Sequence, residues 1–180
     1  MFSLSIRDGL VIVHTGNGKG KTTAAIGLGV RAWGQGLHIL IAQFIKGGWQ
    51  YGELKALAKF SPNLQIRQLG DGFVSKASGD DLAKHRQLAQ EAFANIKQEM
   101  LSGKWDMIIL DEINYAVKFG LLELETVLDL LSQKPSNLHL VLTGRDAAPQ
   151  VIDCADLVTE MKEIKHPYKQ GIKAQPGIEF

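Results

Sequence analysis

The sequence predicts an α/β domain: a three-layer, mostly parallel, doubly wound sheet of about six strands with helices on both faces. Three observations carry this. Short apolar runs rich in β-branched residues recur at 9–14, 37–44, 64–69, 107–112, 138–145 and 157–161. Segments with helical spacing or composition alternate with them, the pattern of strand–helix–strand units. Several runs are apolar on consecutive residues, as strands covered on both faces require. No linker, low-complexity stretch or internal repeat divides the chain, so one domain spanning 1–180 is expected.

Taken in order, Gly9 to His14 reads as the first strand and Lys21 to about Trp33 as its helix, ended by Gly34-Gln35-Gly36. The run 37–44 is the second strand. A loop with three glycines, 46–53, leads to a helix over about 53–60, which Pro62 terminates. Leu64 to Leu69 alternates as a strand, and Gly70 to Gly79 is loop. Asp80 or Asp81 is placed to cap a long amphipathic helix that runs to Leu101, with Leu82, Leu88, Ala92, Ile96 and Met100 on its apolar side. Met107 to Glu112 is a strand tipped with two acids. A helix over 121–132 ends before Pro135, and 138–145 is another buried strand with a polar tip. A short helix near 147–153 and a short strand over 157–161 complete the alternation, and the tail from Lys162 onward shows no periodicity.

Composition narrows the partners. With 45% hydrophobic and 22% charged residues and a net charge of +1, there is no general electrostatic case for nucleic acid or a membrane surface. Cys154 is the single cysteine, which rules out an intramolecular disulfide, fits a reducing compartment and reads as a small buried residue. The first residues lack a signal-peptide pattern and the run 37–45 is too short to span a bilayer, so a cytoplasmic location is expected.

The most informative stretch is Val11 to Ala25, in which an apolar strand runs into Thr15-Gly16-Asn17-Gly18-Lys19-Gly20-Lys21-Thr22-Thr23 and then a helix-forming segment. Glycines let such a loop turn sharply and present backbone N–H groups to an anion, and the helix N-terminus behind it favours negative charge. Lys21 adds a mobile cation, and the Thr22 hydroxyl stands where such loops bind a phosphate-bridging Mg²⁺. The spacing departs from G-x-x-x-x-G-K-[ST], because Thr15 stands where the first glycine belongs and Gly16 comes one residue late. The reading is a nucleotide phosphate site on a P-loop NTPase (RecA-like) architecture.

Ligands of such sheets sit beyond the carboxyl ends of the strands, where several candidates converge. Asp111 and Glu112 end a strand as adjacent carboxylates, suited to a Mg²⁺ shell or to capping nearby backbone. Arg145, after Thr143-Gly144, is a candidate to neutralise phosphate charge or to pair with a surface carboxylate. Lys46 follows Phe44-Ile45 in the same position. Trp49, Tyr51 and Phe73 lie in loops, placed to line a pocket or to pin a loop. His14, His85 and His139 form no metal-ligand pattern and read as core or surface residues.

With these motifs in order, the chain resembles the ATP:corrinoid adenosyltransferases that act on cob(I)alamin or cob(I)yrinic acid a,c-diamide. The resemblance spans nearly the whole chain and rests on Thr15 to Ala25, Gln43-Phe44-Ile45-Lys46-Gly47, Leu110-Asp111-Glu112, Thr143-Gly144-Arg145 and Lys173 to Phe180. The shortened Asn-Gly-Lys-Gly-Lys-Thr-Thr loop is the family's own variant. The resemblance implies transfer of the 5′-deoxyadenosyl group of ATP to the cobalt(I) of a reduced corrinoid, with triphosphate as the leaving group. It implies that Gly16, Asn17, Gly18, Lys19, Gly20, Lys21, Thr22 and Thr23 bind the triphosphate, which lies reversed relative to the usual hydrolases. Lys21, Thr22 and Glu112 would carry the catalytic work; Thr22, Asp111 and Glu112 would hold Mg²⁺ or Mn²⁺; Arg31, Lys46 and Arg145 would reach the nucleotide. Phe73 would contact the lower corrinoid face. Partners implied are an electron-donating reductase or flavoprotein and a second copy in a homodimer, with no nucleic acid or membrane. Two departures fall on the corrinoid side: Ser75 stands where the family has tryptophan, and fewer than ten residues precede the first strand. They leave open an ATP-binding regulatory relative without corrinoid transfer; an ordinary NTPase or kinase is the remaining rival.

Overall fold

A computed structural model describes residues 8–45, 47, 51–70, 72 and 79–179. Among the described residues six strands form one sheet: β1 (Val11–Thr15), β2 (Ile39–Gln43), β3 (Leu64–Gln68), β4 (Met107–Asp111), β5 (His139–Thr143) and β6 (Leu157–Glu160). Their order is β3-β2-β4-β5-β1-β6 and every pair is parallel. Parallel neighbours need long crossovers, and among the described residues these contain the helices α1 (Lys21–Gly34), α2 (Gly52–Leu57), α3 (Asp80–Leu101), α4 (Ile113–Lys118), α5 (Leu124–Ser132) and α6 (Pro149–Asp153).

The apolar runs explain the three layers. Successive side chains on a strand point to opposite faces. Val13, Leu40, Ile108, Leu110, Leu140 and Leu142 face a core completed by α3, α4, α5 and Val151 of α6. Ile12, Ile39, Ile41, Met107, Ile109 and Val141 face a second core closed by Ala25 and Ala32 of α1 and Leu57 of α2. β4 and β2 are completely buried on both sides, which accounts for their unbroken hydrophobicity. At the sheet's edge β6 is exposed along its whole length.

Register brings the polar strand ends level. Gln43 lies opposite Asp111, and His14 opposite Thr143. The alternation that buries Ile41, Ile109 and Val141 against α1 therefore turns Gln43, Asp111 and Thr143 to the same face, under the first turn of that helix.

Several expectations are corrected. The residue before α3 is Gly79, with no side-chain cap, so neither Asp80 nor Asp81 holds the capping position. The helix expected from Leu121 starts at Leu124, and α4 precedes it. Glu112 turns the chain in a left-handed conformation (φ 63) straight from β4 into α4, and Gly120 (φ 65) ends that helix. Leu121 and Leu122 are the buried connector. Cys154 is exposed rather than buried, because it follows α6, whose buried residue is Val151. Among the described residues no helix is long and apolar enough to cross a membrane.

Leu110, fully buried on the central strand, is the sharpest stability probe. Leu110→Ala should cost about 2–5 kcal/mol in urea unfolding; a loss under ~1 kcal/mol would contradict the tight central packing.

Candidate active site

β1 leaves the sheet at Thr15 and α1 begins at Lys21, so Gly16 to Gly20 form the whole connection. Gly20 occupies the position before the helix in a left-handed conformation (φ 111), and no side chain caps the first turn. The first N–H groups of α1 therefore lack side-chain partners and point out of the helix end, where the dipole favours an anion.

The loop is pressed against the chain leaving β6. The Gly18 N–H donates to the Met161 carbonyl at 2.6 Å, and the Met161 N–H donates to the Thr15 carbonyl at 2.8 Å. A Cβ on Gly16 (φ +91) would lie 2.5 Å from the Met161 oxygen, and one on Gly18 would lie 2.7 Å from it. These two glycines are thus required by a neighbouring strand exit as well as by any bound anion.

Lys21 folds back under the loop. Its ammonium donates to the carbonyls of Gly16 and Gly18, both at 2.7 Å, and the residue is 7% exposed. Burial pushes its pKa below the usual lysine value, Glu112 opposes that shift, and Arg145 adds to it. A phosphate arriving in the cradle would supply the negative charge this ammonium is short of.

Behind the loop, the Thr22 hydroxyl donates to Asp111 Oδ1 at 2.8 Å. The Thr143 hydroxyl donates to the same oxygen at 2.8 Å, and Gln43 Nε2 donates to Oδ2 at 3.1 Å. Asp111 is 1% exposed, a position a carboxylate holds only with such donors. Glu112 and Arg145 line the cleft in front of the loop.

That cleft has a volume of about 550 Å³. Gly18 to Thr23 form its floor, the start of α2 (Gly52, Glu53) one wall, and His166 with Gly177, Ile178 and Glu179 another. The Lys19 ammonium lies 3.5 Å from the Glu179 carboxylate. The backbone N–H of Gln175 donates to that carboxylate at 2.7 Å; with Lys19 beside it, this holds its pKa below the usual range.

The structure brings together the loop residues Gly18, Lys19, Gly20, Lys21, Thr22 and Thr23 with Glu112 and Arg145 in one cleft, and sets Gly16 and Asp111 directly behind it. Asn17 lies on the other side of the loop, in a polar depression it shares with Arg145, Glu160, Lys162, Glu163 and Lys169. Arg31 is not brought in: it is exposed in the last turn of α1, about 15 Å of helix from Lys21. Lys46, Phe73, Trp49 and Ser75 lie outside the described residues.

Sequence reasoning did not single out Gln43, Thr143, Glu53 or His166, nor give the tail a place in the site. Polar residues ending apolar strands were the available signal for Gln43 and Thr143. For the tail the signal was the family-like segment Lys173 to Phe180, since it has no periodicity to place it.

An uncapped helix N-terminus behind a glycine loop, a buried lysine beneath it and a carboxylate tied to the following threonine define a phosphate-loop nucleotide-binding protein. The chain belongs to the ATP:corrinoid adenosyltransferase family, for residues 7–180 match the model described as ATP:corrinoid adenosyltransferase BtuR/CobO/CobP. It is 40% identical over 174 residues to a corrinoid adenosyltransferase of Pseudomonas aeruginosa, covering 96% of this chain and 84% of the relative. A corrinoid adenosyltransferase of Sinorhizobium is 42% identical over 174 residues (96% and 80%), and one of Escherichia coli K12 is 37% identical over 172 residues (96% and 86%).

The loop packing yields a direct test. Gly16→Ala should lower stability by about 1–3 kcal/mol through strain at positive φ. It should also weaken ATP binding at least ~10-fold by calorimetry, a loss of ~1.4 kcal/mol. Binding unchanged in a folded variant would show that the loop does not depend on its seat against Met161.

Proposed function

We propose that this protein transfers the 5′-deoxyadenosyl group of ATP to the cobalt(I) of a reduced corrinoid, releasing triphosphate. The observation that carries the reading is the cradle itself: free N–H groups at the start of α1 with Lys21 beneath them, in a chain of this family.

Cobalt(I) is the substrate nucleophile. Its electron pair forms the cobalt–carbon bond at the ribose C5′, and the C5′–O bond breaks with its pair passing to the triphosphate oxygen. With so strong an external nucleophile, the protein needs neither a covalent nucleophile nor a general base. Its tasks are to hold C5′ in line and to stabilise charge growing on the leaving group. The amides between Gly16 and Thr23, with Lys19 and Lys21, are assigned the triphosphate. Lys19 would exchange Glu179 for phosphate, and Arg145 at the cleft wall would add positive charge.

Mg²⁺ or Mn²⁺ belongs to the proposal as well. Thr22, Asp111 and Glu112 offer hard oxygen donors, which fit such ions. Among the described residues no three acids, histidines or cysteines converge on one point. Phosphate oxygens and water must then complete the shell, the ordinary situation for Mg²⁺. The ion would add charge stabilisation of the departing triphosphate there.

The acceptor is assigned as cobalamin or an earlier corrinoid such as cob(I)yrinic acid a,c-diamide, with Phe73 at its lower face. A flavoprotein or other reductase would supply electrons, and a cytoplasmic location is in keeping with the free Cys154. A homodimer is supported by exposed Leu157 and Val158 on the edge strand.

Incubation with ATP, Mg²⁺ and chemically reduced cobalamin tests the reading. Adenosylcobalamin and triphosphate in equal amounts are expected, and ADP as the product would overturn it. Lys21→Ala should lower kcat at least ~100-fold, as loss of a preorganised charge at the leaving group does. Near-normal turnover in that variant would remove Lys21 from the cradle.

A further inference from the structure

The Thr143 hydroxyl makes two bonds that join the acids of the site. Thr143 is completely buried at the end of β5. Its hydroxyl donates to Asp111 Oδ1 at 2.8 Å and accepts from the Glu112 backbone N–H at 2.8 Å. One side chain from a neighbouring strand therefore holds the carboxylate of one acid and the backbone of the next.

Both acids need such a hold. Asp111 Oδ1 also receives the Thr22 hydroxyl, so its position sets where the first turn of α1 is anchored to the sheet. Glu112 has φ 63 and ψ 22, a conformation L residues with long side chains rarely adopt. That conformation turns the chain from β4 directly into α4 and leaves Glu112 on the cleft wall. An N–H in so sharp a turn has no strand ladder to join, and the Thr143 oxygen is the partner it finds. Gln43 completes the hold on Asp111 from the other side through Nε2, while its own Oε1, fully buried, has no hydrogen-bond partner. A buried amide kept with one atom unsatisfied points to a requirement for the donor it provides.

We propose that Thr143 is a positioning residue for nucleotide-bound metal. By fixing Asp111 toward Thr22 and Glu112 in its left-handed turn, it keeps both carboxylates in the arrangement that favours the metal–ATP complex over free ATP. Gln43 supports it from β2. This rests on the reading of Thr22, Asp111 and Glu112 as metal-binding residues, and it adds a supporting residue one strand away that does not line the cleft.

The test compares Thr143→Val, which keeps the shape and removes the hydroxyl, with Thr143→Ser, which keeps the hydroxyl. ATP binding is measured by calorimetry with EDTA and again with Mg²⁺, and adenosyl transfer to reduced cobalamin is followed separately. For Thr143→Val, metal-free ATP binding should stay within ~2-fold of wild type, while the tightening produced by Mg²⁺ and the kcat should each fall about 10–100-fold, as loss of a residue supporting metal ligands does. Thr143→Ser should recover both to within about 3-fold, because it keeps both bonds of the hydroxyl. If Thr143→Val does not fold, Gln43→Met removes only the Oδ2 donor and should lower the Mg²⁺ effect by about 3–10-fold. Equal Mg²⁺ effects in wild type and Thr143→Val, or in Gln43→Met where that variant is the one tested, would overturn the proposal. Serine behaving like valine would also overturn it. If wild type bound Mg-ATP and formed no adenosylcobalamin, the function reading would fail while the binding comparison still judged Thr143.

Discussion

One buried carboxylate organises this end of the sheet. Asp111 ends the central strand almost fully out of water, which is costly for an ionised group without partners. Thr22 from α1, Thr143 from β5 and Gln43 from β2 each donate to it. These bonds form only if β2, β4 and β5 pair in the observed register and the first turn of α1 sits over their ends. Shifting one strand by a residue would turn its polar tip to the other face. The same interaction that completes the fold thus ties Thr22 and the first turn of α1 to the sheet beneath the proposed phosphate site.

The loop is constrained from the opposite side. Met161 accepts from Gly18 and leaves no room for a side chain at Gly16. Held between β6 on one flank and Asp111 on the other, the connection from β1 to α1 has little freedom to rearrange. Preorganised donors need no rearrangement as charge builds on a leaving group, and that economy matters most where a substrate supplies the nucleophile. The charges inside the cleft follow the same logic: Lys21 rests on loop carbonyls and Lys19 on Glu179, positions a polyanion would take over.

The alternation of strands and helices was legible in the sequence because burial on both faces writes itself as continuous apolar runs, as in Ile39–Gln43 and Met107–Asp111. The loop before α1 was legible for a different reason: glycines, lysines and threonines crowded between an apolar strand and a helix serve one local geometry. Residues acting across strands were harder to see. Thr143 and Gln43 gain meaning only when register places them beside Asp111, and register is a long-range property. The α4 helix was hidden because Glu112 makes the left-handed turn that glycine usually makes. The tail of residues 162–179 reaches the cleft through turns, an ion pair and single contacts, none of which leaves a periodic trace. Arg31, a basic residue on the same helix, stands at its far end, in the last turn of α1 rather than beside Lys21.

Every role proposed for the cleft requires a triphosphate seated on the amides that follow β1. Backbone amide NMR of the labelled protein during an ATP titration reads this directly. The amide signals from Gly16 to Thr23 should move together and saturate with ATP, while Arg31 at the far end of α1 stays still. Saturable ATP binding with those amides unmoved would contradict it.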